Sequence, residues 1–84
     1  MQRQDERDIR ELLIKLRAEH RELDMEIAAL EAAREAKYRE IRDAEIDRES
    51  GKLSEDDFRE LEAELKRDAV AILDRLEALR GKES

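Results

Sequence analysis

The chain has no cysteine, proline, tryptophan or threonine, and only two glycines, one histidine, one tyrosine and one phenylalanine in 84 residues. Without cysteine there are no disulfides and no thiolate zinc sites. Without proline nothing in the sequence breaks a helix from within. With a single valine and no threonine, the β-branched strand formers reduce to isoleucines, and these sit at helical spacing. No apolar run approaches the roughly 18 residues that a membrane span needs. The opening Met1-Gln2-Arg3-Gln4-Asp5-Glu6 lacks the apolar core of a secretory signal, so a cytoplasmic location is the expectation. No arrangement of Ser, His and Asp suggests nucleophilic catalysis. The expectation is a protein that is not an enzyme, with no catalytic residue, no cofactor and no small-molecule substrate.

What the chain does have is charge and helix formers. Charged residues make up 51%, and Ala, Glu, Lys, Leu and Arg together supply 56 of the 84 positions. That composition marks coiled coils and long helices. The 25 acids are interleaved with 18 Arg and Lys for a net charge of −7, which reads as a solvated helix surface. A basic stripe for phosphate contacts is missing, so direct nucleic-acid binding is not expected. One small domain of this size buries little core, and with disulfides excluded, oligomerisation is the remaining route to stability.

Gly51 and Gly81 each follow a long periodic stretch, where a helix commonly ends on a left-handed glycine. The sequence therefore predicts one helix over about 5–48, a turn over 49–54 and a second helix over about 55–80. The second helix is well signed. Ser54 suits the N-cap, Asp57 three residues on completes a capping-box-like pair, and Leu53 with Phe58 forms a hydrophobic staple. Glu55, Asp56 and Asp57 favour a helix N-terminus electrostatically.

Heptad spacing predicts the seam. Ile9, Leu13, Leu16, His20, Leu23, Ile27, Leu30, Arg34, Lys37, Ile41 and Ala44 alternate at spacings of three and four. In the second helix Phe58, Leu65, Ile72 and Leu79 recur every seventh residue, with Leu61, Ala69 and Leu76 between. Folding at Gly51 pairs residues whose numbers add to about 103. This sets Leu79 by Leu23, Leu76 by Ile27, Ile72 by Leu30, Leu65 by Tyr38, Leu61 by Ile41 and Phe58 by Ala44. It also brings Arg34 near Asp68, as a partly buried ion pair or as two groups snorkelling outward.

The helices are unequal. About 44 residues span ~66 Å and about 26 span ~39 Å, which leaves roughly the first twenty residues of helix 1 without an intramolecular partner. That segment holds Ile9, Leu12, Leu13, Ile14 and Leu16, and helix 2 carries a second apolar stripe of Val70 and Leu73 with Ala69 and Ala71. The predicted fold is an all-α antiparallel two-helix coiled-coil hairpin that dimerises into a four-helix bundle. The partner is a second copy or another helical protein. The overhangs pack on each other or on the outer face of helix 2.

Three constellations invite a site. Gly51 to Phe58 has the look of the second half of a calcium-binding loop and its exiting helix. The ligand positions ahead of Asp57 would then be Ile46, Arg48 and Ser50, and the first two offer no side-chain oxygen. A di-iron bundle would need Glu three residues before His20, where Arg17 stands. No metal is expected. From Asp43 to Asp57 there are seven acids and two bases. Acidic-tipped hairpins of this kind look like the GreA and DksA factors that enter the secondary channel of bacterial RNA polymerase, although these residues hold no counterpart of those factors' globular or zinc-bearing anchor. The alternatives to an interaction module are therefore a regulator inserting its acidic tip into a larger enzyme and an acidic nucleic-acid mimic.

Two stretches resemble known bacterial families. Leu16 to Ile27, with His20, Leu23, Asp24 and Ile27 in a His-x-x-Leu-Asp-x-x-Ile pattern, resembles the first helix of YdcH-like proteins, small helical hairpins without a settled activity. Tyr38 to Leu76, centred on the turn, looks like the cytosolic hairpins of the SHOCT domain and of CcmI cytochrome-assembly proteins. Both resemblances imply a helical hairpin.

Overall fold

The computed structural model describes residues 2–83, with side chains for residues 5–82. It contains two helices, α1 (Gln2–Glu49) and α2 (Glu55–Glu83), packed against each other, and no strand among the described residues. The result is a rod with extents of 75 × 16 × 15 Å. Among the described residues no helix is long and apolar enough to cross a membrane.

The hairpin turn ends α1 by a hydrogen-bonded cap. Gly51 has φ 79°, the left-handed region that residues with a Cβ resist. The Gly51 N–H donates to the Arg48 carbonyl at 3.2 Å and the Lys52 N–H to the Asp47 carbonyl at 2.9 Å. These are the two bonds of a Schellman motif. The Asp57 N–H then donates to Ser54 Oγ at 3.2 Å, capping α2. Leu53 packs against the cluster that holds Phe58, which fixes the angle of entry.

Gly81 does not end α2. It lies inside the helix, and Gly51 is the sole described residue with positive φ. The residue after Gly81, Lys82, is not the apolar one that frequently packs back in a Schellman cap. Arg80 and Lys82 meanwhile favour the negative end of the helix.

Two apolar clusters hold the helices together. Ile27, Leu76 and Leu79 form one with Leu23, Leu30 and Ile72. Ala44, Phe58 and Leu65 form the other, nearer the turn, with Ile41 and Leu53. Leu76 and Leu79 are each 1% exposed, and burial of a leucine contributes about 2 kcal/mol. Between the clusters the seam is polar, with Arg34 and Lys37 half-buried.

The register differs from the one the spacing predicts. Arg48 lies over the Phe58 ring, 4.6 Å from its centre, and Lys37 Nζ is 3.4 Å from Asp68 Oδ2. The numbers of these pairs add to 106 and 105, not 103. The reason is layering. In an antiparallel coiled coil each a position meets a d position of the other helix, and only the higher sum interleaves them. Asp68 consequently meets Lys37 and not Arg34. Arg34 pairs with adjacent Glu35 at 3.4 Å, and its Nε is buried without a hydrogen-bond partner. Layering also corrects two seam positions. Strict alternation from Phe58 lands on Glu62, whose side chain is 27% exposed, and leaves Leu61 at the rim. Tyr38 likewise flanks the seam and is exposed.

Candidate interaction surface

Every side chain from Asp5 to Glu22 is exposed, and Leu23 is the first that α2 begins to cover. The bare segment is nonetheless apolar along one strip. Ile9 is 57% exposed, Leu13 45% and Leu16 51%. With His20 they continue the three-four spacing of Leu23, Ile27 and Leu30 without a break, so the strip is the same seam after α2 has run out. In heptad terms Leu23, Leu16 and Ile9 are d positions, and Ile27, His20 and Leu13 are a positions. Leu12 flanks the strip at g. Ile14 lies roughly 140° around the helix from it, so the structure does not bring Ile14 to the face that the other four share. A depression lined by Asp8, Glu11, Leu12, Ile14 and Lys15 runs along this single helix and has no opposite wall.

The second apolar surface lies on α2. Val70 is exposed by 55% and Leu73 by 39%, and Ala71 is exposed beside them. Ala69 is 6% exposed and belongs to the seam, not to this outer stripe. Leu73 and Tyr38 are both e positions and lie on one flank of the hairpin; Val70 lies a step outside it.

The flanks carry charge that the heptad phase explains. Arg80 donates to Glu31 at 2.7 Å, and both are e positions. Arg75 donates to Glu26 at 2.9 Å, and both are g positions. Antiparallel helices set e against e and g against g, so an acidic flank on α1 meets a basic flank on α2. Each such exposed pair contributes under about 1 kcal/mol, but together they discriminate against like-charged alternatives. The four residues are invisible to a reading that looks only at apolar positions; the signal was in the e and g columns.

Charge elsewhere has local duties. Arg48 and Glu55 pair across the turn at 3.5 Å. Lys37 also reaches Glu40 at 3.2 Å, and this hydrogen bond, with the charges of Glu40 and Asp68, raises its pKa against the lowering effect of burial. His20 is exposed on the bare segment. Among the described residues no group of three or more His, Asp or Glu is placed to hold a metal ion. Comparison with protein-family models, curated proteins and solved structures finds no match to this chain.

Proposed function

We propose that this chain is a non-catalytic helical interaction module that assembles through the bare N-terminal part of α1, foremost as a homodimer. The observation that carries the reading is a seam that outruns its cover: Ile9, Leu13 and Leu16 continue the strip on which α2 packs, and all are about half exposed. An isolated helix of some twenty residues is marginal in water and gains stability by burying such a face. Burying each of these side chains is worth about 2 kcal/mol. The exposed Val70 and Leu73 support the same reading, because a lone copy leaves both surfaces in water.

Sedimentation velocity at micromolar concentration tests it. The expected species has twice the 9.9 kDa chain mass, and Leu13→Glu with Leu16→Glu returns it to one chain while the hairpin stays helical. A wild-type monomer at about 100 µM, far above the Kd expected for such burial, overturns the homodimer.

A further inference from the structure

We infer that the second copy joins in parallel, N-terminus beside N-terminus, and that Asp5 and Arg10 select this orientation. The inference rests on the homodimer proposed above. Its ground is the rule visible in the hairpin, where antiparallel pairing places e against e and g against g, as Glu31 with Arg80 and Glu26 with Arg75.

On the bare segment the e positions are Arg10 and Arg17, and the g positions are Asp5, Leu12 and Glu19. An antiparallel second copy, in any register that layers a on d, sets arginine against arginine along one side. Along the other it sets Asp5 and Glu19 against each other or against Leu12. The one such register that yields an opposite-charge flanking pair sets Arg10 against the partner's Asp24, and it also sets Arg17 on Arg17 and Asp5 on Glu19. Parallel packing sets each g against the e position five residues on in the partner. Asp5 then meets the partner's Arg10, and Leu12 meets the aliphatic stem of the partner's Arg17, each twice by symmetry. Glu19 would meet the partner's Asp24, but this is the height at which α2 begins and the two α1 helices must separate.

A second observation points the same way. In a parallel dimer both hairpin bodies lie at the same end, so the flanks bearing Tyr38, Leu73 and Val70 can close on each other in a four-helix bundle. An antiparallel dimer would send the two bodies to opposite ends of a long rod and leave those residues 39–55% exposed, as they are in one chain.

The absence of cysteine makes the test clean. A spin label on Met25→Cys, at an exposed outer position, should report a distance between copies on the order of 30 Å for a parallel pair; antiparallel overhangs add a displacement on the order of 30 Å along the axis to that lateral separation and so lengthen it to more than about 40 Å. Arg10→Glu should weaken association roughly tenfold by setting two acids together, and Asp5→Arg in the same chain should restore it. Circular dichroism checks that each variant remains helical. A dimer with the long distance overturns the parallel orientation, whatever the effect of Arg10→Glu, and leaves the interaction module standing. A wild-type chain that stays monomeric overturns both the inference and the homodimer beneath it.

Discussion

Residues 23–83 and residues 5–22 are two stretches of one heptad pattern in opposite situations. In the first, apolar a and d positions face a second helix, and Leu76 and Leu79 fall to 1% exposure. In the second, the same spacing and residue types stand in water, with Leu13 the least exposed of its cluster at 45%. The difference is one of length alone: 48 residues in α1 against 29 in α2. Periodicity shows where a helix wants a partner, and the burial of α1 shows where α2 supplies one.

The sharpest way to break the comparison is to remove equivalent side chains from each region. Leu76→Ala should cost about 3 kcal/mol of hairpin stability in a denaturant melt. Leu13→Ala, measured where the chain is dilute enough to be monomeric, should cost less than about 0.5 kcal/mol. Equal losses would mean that the N-terminal segment is covered within one chain.

The turn folds α2 back onto α1, so loosening it weakens the covered region. Gly51→Val should destabilise by about 1 kcal/mol or more. No neighbour lies within 4 Å of a Cβ built there, so the loss comes from the φ of 79° and not from a clash. A melt unchanged by this substitution would mean that the chain turns without the left-handed residue.

Improving the covered region should widen its contrast with the bare one. Arg34 occupies an a position with its Nε buried and unpartnered. Arg34→Met keeps the aliphatic stem and removes that buried donor, and should raise hairpin stability by about 1 kcal/mol. A loss of stability would show that the pair with Glu35 matters more than the orphaned nitrogen.

The smallest effect is electrostatic. The hydrogen bond to Glu40 and the charges of Glu40 and Asp68 raise the Lys37 pKa. A cation whose pKa is raised on folding contributes stability that is full below the ordinary lysine range and lost as pH climbs through the raised value. Stability should therefore be insensitive to Lys37 ionisation at neutral pH and show a slight alkaline decline that Lys37→Met abolishes. An unchanged alkaline limb in that variant would assign the decline to other groups.

Much of this was legible in the residues alone. The run of three-four spacing, the lack of proline and the Gly51 to Phe58 signals specify two unequal helices joined by a capped turn, because each is a local preference of backbone or side chain. The glycine rule misled at Gly81, which is followed by the polar Lys82 and lies inside α2. The register is a property of two surfaces meeting, and only packing decided it. Interleaving a with d set Lys37 on Asp68, left Arg34 Nε unpaired, and gave the seam to Glu62 while Leu61 moved to the rim. Spacing along one helix marks which residues share a face, whereas the height at which two faces lock depends on side-chain layers and flanking charges across the interface, and these exist only once the helices touch.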